Sequence, residues 1–81
     1  MSKGSSRAAQ EHLKHLLRQI RVDAELSQRD LARQLGQPQS FISKYESGER
    51  RLDPLELRQV CEAVGITLVE FARRLDRALQ S

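Results

Sequence analysis

Helix start and stop signals alternate along most of the chain. Three residues that can cap a helix N-terminus each precede an acidic side chain by three positions, which is the spacing of a capping box; they are Ser27, Asp53 and Thr67. Three glycines stand where the resulting helices would end, because glycine adopts the left-handed conformation of a helix terminus without steric cost; they are Gly36, Gly48 and Gly65. These signals predict several short helices rather than a sheet.

Apolar spacing predicts five helices and no strand. From Arg7 to Glu25, leucine and isoleucine recur every three or four residues, which places them on one face of a long first helix. Prolines, which are tolerated in a first helical turn, stand at the expected starts of the third helix (Pro38) and the fourth helix (Pro54). The expected helices cover residues 7–25, 28–35, 38–47, 54–64 and 68–79. The predicted fold class is therefore all-α.

Length and composition limit the chain to one small domain. A chain of 81 residues buries only about 60–65% of its unfolded surface, so neither a second core nor a large enzyme cavity is expected. No apolar run approaches the ~18 residues of a membrane span, and residues 1–10 lack the apolar core of a signal peptide. We therefore expect a cytoplasmic protein, with residues 1–6 as a flexible arm and residues 7–80 as the domain.

The side chains give no indication of an enzyme, a metal site or a cofactor. His12 and His15 are three residues apart on the first helix, but no third metal ligand accompanies them. Cys61 is the only cysteine and lies among apolar residues, with no neighbouring base to activate it. We expect the two histidines to lie on a solvated surface and the thiol to pack in the core.

Positive charge is concentrated near the N-terminus. The chain has 14 Lys and Arg against 11 Asp and Glu, a net charge of +3. Residues 1–22 contain five basic side chains and one acidic side chain, which is an excess of +4. This excess is a weak indication of a polyanionic partner, since a solvated basic helix without any partner would look the same.

The second and third helices are joined by about two residues around Gly36, and so short a connection predicts a helix-turn-helix. Residues 28–47 read QRDLARQLGQPQSFISKYES and resemble the motif of the lambda and 434 repressor–Cro class, the xenobiotic response element (XRE) family. The family places a small residue, a glycine and an aliphatic residue where Ala32, Gly36 and Ile42 stand here. The resemblance extends over about residues 13–72, since the segment SGERRLDPLELRQVCEAVGITLVEF is similar to the helices that follow the motif. It implies a compact, lambda-repressor-like five-helix domain.

The resemblance also implies a sequence-specific, double-stranded DNA-binding transcriptional regulator, most often a repressor, whose third helix enters the major groove. We expect base contacts from polar residues of that helix, namely Gln39, Ser40, Ser43 and Lys44. A glutamine amide matches the donor and acceptor pattern of adenine, and a lysine can donate to guanine. The two serines are short and suit phosphate or water-mediated contacts as well as bases.

Other polar residues are expected to contact the DNA backbone or to support the fold. By resemblance, Gln28 touches the backbone and braces Gln39. The expected backbone contacts are Gln28, Arg29, Arg50, Arg51 and Arg18. The alternative for the two loop arginines is ordinary solvent exposure beside acidic neighbours. The family alignment further pairs Arg21 with Glu46 in a largely buried ion pair, which we assign to structure rather than to DNA reading.

The end of the last helix, residues 73–80, continues the apolar stripe beyond what the family domain needs. Leu75 and Leu79 either pack within the monomer or form a two-fold interface. Exposed leucines favour the homodimer, which would bind an inverted-repeat operator with half-sites ~34–36 Å apart. The alternative function is a protein-interaction module, such as the antitoxin of a toxin–antitoxin pair, with the terminal helical extensions as its partner surface.

Overall fold

The computed structural model describes the backbone of residues 3–80 and the side chains of residues 7–80. Five helices follow one another: α1 (Lys3–Asp23), α2 (Gln28–Leu35), α3 (Gln39–Ser47), α4 (Pro54–Val64) and α5 (Leu68–Gln80). No strand occurs between residues 3 and 80. The prediction of an all-α fold with five helices is confirmed. The expected arm, residues 1–6, overlaps the first turn of α1, and its first two residues lie outside the described part of the chain.

The first helix ends earlier than predicted, at Asp23 instead of Glu25. The amide of Leu26 donates to the carbonyl oxygen of Arg21 at 3.2 Å, which closes the last turn. This closure requires a left-handed residue, and Glu25 takes that conformation with a φ of 60°. No glycine marks this helix end, so the apolar spacing alone placed the boundary two residues too late.

The predicted N-terminal caps are present in the structure. The hydroxyl of Ser27 accepts from the Asp30 amide at 3.0 Å, and the Asp30 carboxylate accepts from the Ser27 amide at 3.2 Å. This hydrogen bond from the Ser27 backbone lowers the pKa of Asp30. Asp53 and Glu56 form the same reciprocal pair at 2.8 and 3.0 Å. Pro38 is the N-cap of α3 rather than its first residue, because its ψ of 155° is extended.

Each helix contributes at least one side chain to a single core. Its buried members are Leu17, Ile20, Leu31, Ala32, Ile42, Tyr45, Val60, Cys61 and Phe71. Ile42 and Tyr45, three positions apart on α3, face inward and are 0% and 1% exposed. Cys61 is fully buried as expected, and desolvation raises the pKa of its thiol, which disfavours the reactive thiolate.

The two leucines near the end of α5, Leu75 and Leu79, differ in burial. Leu75 is half-buried and packs against the core, whereas Leu79 remains 45% exposed. Helix α1 lies against α5, so the two terminal helices contact each other within one chain. Of the two leucines, Leu79 therefore offers the larger surface to a partner. None of the described helices has both the length and the apolar character needed to cross a membrane.

Candidate nucleic-acid interface

Helices α2 and α3 form a tight helix-turn-helix. Gly36 ends α2 in the left-handed conformation, with a φ of 66°, and the amide of Gln37 donates back to the Ala32 carbonyl at 2.9 Å. Ala32 is 3% exposed, in agreement with the small residue expected where the two helices cross. Because the turn is short and both inner faces pack on one core, the outer face of α3 is fixed relative to α2.

The four predicted base-contact residues lie together on the outer face of α3. Each of them is exposed, while the intervening Ile42 and Tyr45 are buried; the four are Gln39, Ser40, Ser43 and Lys44. They carry amide, hydroxyl and ammonium groups and no carboxylate. This face can therefore donate and accept hydrogen bonds, and none of these four side chains would repel a polyanion electrostatically.

A chain of hydrogen bonds links Gln39 to the buried side of α3. The amide nitrogen of Gln39 lies 3.5 Å from the amide oxygen of Gln28, whose own nitrogen donates to Glu46 at 3.1 Å. Arg21 donates to both carboxylate oxygens of Glu46, at 2.7 and 3.0 Å. The ion pair expected from the resemblance is thus present, and so is the contact of Gln28 with Gln39. Sequence reasoning missed the bond between Gln28 and Glu46, because the two residues are 18 positions apart.

The Arg21–Glu46 pair is largely buried, with side chains 11% and 6% exposed. A third donor group of Arg21 reaches the Leu26 carbonyl at 2.9 Å, which ties the pair to the turn before α2. The hydrogen bond to Glu46 raises the pKa of Arg21, so the guanidinium stays charged. This pair is a fixed structural element beneath the outer face of α3.

Helix α1 brings positive charge to one side of α3. Arg18 shares a shallow recess with Ser43 and Ser47, so this predicted contact to the DNA backbone borders the outer face of α3. The side chain of Lys14 passes directly over Gly48, where an added Cβ would lie 2.8 Å from the lysine Cδ. Two basic residues of the N-terminal segment, Arg18 and Lys14, therefore lie beside α3, and Lys14 is paired with Glu11 at 2.8 Å. Lys14 was not among the expected site residues.

The start of α2 borders the other side of the same face. Gln28 is half-buried and Arg29 is exposed, and both line a recess together with Ser27 and Gln39. The free amides at the beginning of a helix favour an anion. The structure thus groups two of the expected backbone contacts next to the expected first base contact.

The two loop arginines have different surroundings. Arg50 lies 4.7 Å above the ring of Phe41 and donates to both oxygens of Glu56, at 2.7 and 3.1 Å. These hydrogen bonds raise the pKa of Arg50 and lower that of Glu56. Arg51 is exposed. Neither the expected contact with the DNA backbone nor the alternative of ordinary exposure beside acidic neighbours included this clamp between α3 and α4.

The comparison with protein families identifies the same motif independently. The helix-turn-helix family model HTH_3 matches residues 17–76, which is most of the chain. The chain belongs to this helix-turn-helix family. The family is of the DNA-binding transcription-regulator type, and its fold is generally non-enzymatic. The predicted family membership and the lambda-repressor-like fold are confirmed.

A solved structure supports this membership over almost the full length. It is described as an XRE-family like protein from Pseudomonas syringae pv. tomato str. DC3000. It is 37% identical to this chain, with a TM-score of 0.84, and the alignment covers 93% of this chain and 92% of the other. A comparison with curated protein sequences gives no match.

Among the described residues, no group of three or more histidine, cysteine or acidic side chains could hold a metal ion.

Proposed function

We propose that this protein is a sequence-specific transcriptional repressor that reads double-stranded DNA in the major groove with α3. The observation that carries the proposal is the outer face of α3, where four uncharged or basic polar side chains are exposed and one of them, Gln39, is held by Gln28. An α-helix fits the major groove, in which each base pair presents a distinct pattern of donors and acceptors. In this proposal the protein acts in the cytoplasm and represses by occupying an operator near a promoter.

Direct readout is assigned to the two ends of this face. Gln39 donates to N7 of an adenine and accepts from its N6 amino group, and Lys44 donates to O6 or N7 of a guanine. Each good pairing supplies about 1–3 kcal/mol of discrimination against other bases. Ser40 and Ser43 make shorter contacts, directly to phosphate or through water.

The contacts to the DNA backbone surround the outer face of α3. Gln28 and Arg29 bind a phosphate at the start of α2, and Arg18 binds one beside Ser43. Arg51 and Arg50 follow the phosphates beyond α3, with the larger contribution from Arg51, because Glu56 already neutralises the Arg50 guanidinium.

A homodimer is proposed through residues 73–80 of α5. Leu79 is 45% exposed near the end of that helix, and a two-fold contact there would cover it. Leu75 would contribute less, since it already packs against the core. Two copies of α3 would then read an inverted repeat with half-sites ~34–36 Å apart, one turn of DNA.

The exposed Leu79 also suits a different protein as partner, which makes a protein-interaction module, such as an antitoxin, the second candidate. Selection of bound duplexes from a random pool separates the two. The repressor is expected to select a defined inverted repeat, and Gln39→Ala with Lys44→Ala is expected to abolish that preference while the fold is kept. If the chain selects no sequence, or if the double variant selects the same sequences as the parent chain, base reading by the outer face of α3 is refuted.

Salt dependence tests the backbone contacts separately. Each phosphate neutralised contributes about 0.9 to the slope of log affinity against log salt, so removing both Arg50 and Arg51 is expected to lower the slope by about 1–2, with the larger part from Arg51. Arg58→Ala is the matched control, since Arg58 is an exposed arginine on α4 paired with Glu62. An unchanged slope in the double variant would remove both arginines from the interface.

A further inference from the structure

Four side chains form a continuous polar relay from the interior to the tip of α3; in order they are Arg21, Glu46, Gln28 and Gln39. We propose that Glu46, which lies beneath the reading face, is a positioning residue that fixes the amide orientation of Gln28 and Gln39 and so sets a preference for adenine over guanine. This inference rests on the proposed function, because it concerns which base Gln39 accepts. It assigns base specificity to a residue beneath the DNA-facing surface.

The relay begins with a group that can only accept hydrogen bonds. The Glu46 carboxylate receives donors from Arg21 on both oxygens, and an ionised carboxylate offers no hydrogen of its own. Gln28 must therefore turn its NH₂ group toward Glu46, as the 3.1 Å contact shows. The carbonyl oxygen of the Gln28 amide then points the other way, toward Gln39.

The orientation of Gln39 follows from that of Gln28. The Gln28 oxygen can only accept, so Gln39 turns its amide nitrogen toward it, at 3.5 Å. One N–H group and the carbonyl oxygen of Gln39 remain for DNA. A donor next to an acceptor matches N7 and the N6 amino group of adenine, whereas guanine offers two acceptors, N7 and O6. A Gln39 amide held in this orientation therefore disfavours guanine.

The relay is formed in the free protein, because its inner end is buried and held by several hydrogen bonds. Glu46 and Arg21 are 6% and 11% exposed, and Arg21 is also bonded to the Leu26 carbonyl. An amide that is already oriented loses less conformational freedom on binding than a free one. Without the relay, Gln39 could rotate its amide and meet either purine.

Base preference is the measurement that separates positioning from mere stability. Duplexes are selected from a random pool with the parent chain and with Gln39→Ala, which locates the base pair that depends on Gln39. The same selection is then made with Glu46→Gln, whose amide can donate as well as accept, and with Gln28→Ala, which leaves the buried ion pair intact. Arg29→Ala is the control, since Arg29 lines the same recess but takes no part in the relay.

We expect the ratio of adenine to guanine at that position to fall about tenfold in Glu46→Gln and in Gln28→Ala, which corresponds to the discrimination of one good base contact. Arg29→Ala is expected to weaken binding to all sequences without changing the ratio. If Glu46→Gln does not fold, the double variant Arg21→Met with Glu46→Leu takes its place in the selection, since it removes the Glu46 acceptor and leaves no buried charge. An unchanged ratio in the variants that fold overturns the relay but leaves the proposed function standing. A parent chain that selects no sequence, or a selection indifferent to Gln39→Ala, refutes both.

Discussion

Replacing Arg21 by methionine measures what the buried ion pair contributes to folding. The substitution keeps an apolar stem but removes the guanidinium that donates to Glu46 at 2.7 and 3.0 Å. Glu46 is only 6% exposed, so its carboxylate would lose its charged partner while water could hydrate it only slightly. Breaking such a pair costs about 3–5 kcal/mol. We expect about 3 kcal/mol, the lower end of that range, because Gln28 still donates to Glu46 at 3.1 Å.

Thermal unfolding followed by far-ultraviolet circular dichroism is the assay. A domain of 81 residues has a total stability of roughly 4–12 kcal/mol, so a loss of about 3 kcal/mol is a large part of it and lowers Tm by about 12–24 °C. The double variant Arg21→Met with Glu46→Leu is expected to recover most of the loss, since two apolar side chains leave no buried charge.

Arg58→Met is the matched control for this prediction. It breaks the exposed pair with Glu62, in which the nitrogen and oxygen are 3.5 Å apart and both side chains are more than half exposed. Its cost is expected to be below about 0.5 kcal/mol. If Arg21→Met costs no more than Arg58→Met, or if the double variant is less stable than the single one, the assignment of the pair to structure is refuted.

Three further predictions follow from individual contacts. Tyr45→Phe is expected to leave stability unchanged or raise it by up to about 1 kcal/mol in urea unfolding, because the buried Tyr45 hydroxyl has no partner among the described residues; a clear loss would contradict this. The Arg50 hydrogen bond lowers the pKa of Glu56 below its ordinary 4.5, so its contribution to stability is complete above that pH and is lost as the pH falls through the lowered folded-state value. Glu56→Gln is therefore expected to flatten the dependence of Tm on pH between about pH 6 and pH 3. An unaltered profile would argue against the clamp. Leu79→Asp is expected to convert a dimer to a monomer in analytical ultracentrifugation, whereas a dimer that persists would place the contact elsewhere.

Local signals predicted most of the helix boundaries. The capping residue Ser27 and the left-handed Gly36 set the limits of α2, because both effects depend on neighbours within a few positions. The burial of Ile42 and Tyr45 agrees with their spacing of three residues, which places them on one face of α3. The end of α1 was missed because a glutamate, Glu25, takes the left-handed conformation that glycine usually supplies.

Contacts between distant parts of the chain were beyond the reach of local signals. The Arg50 clamp depends on how the loop after α3 folds back over Phe41, which no sequence spacing indicates. The bond between Gln28 and Glu46 likewise depends on the angle between α2 and α3. The family resemblance anticipated the Arg21–Glu46 pair, since that information comes from an alignment and not from the residues themselves.

Modified purines distinguish base reading by α3 in the major groove from contact elsewhere on the duplex. At the adenine that depends on Gln39, 7-deazaadenine removes the major-groove acceptor N7, whereas 3-deazaadenine removes only the minor-groove acceptor. We expect the parent chain to lose about tenfold in affinity with the first analogue and almost nothing with the second. Gln39→Ala is expected to be indifferent to both. Equal affinity for the unmodified and 7-deaza duplexes, or sensitivity to the 3-deaza duplex alone, would refute major-groove reading by α3.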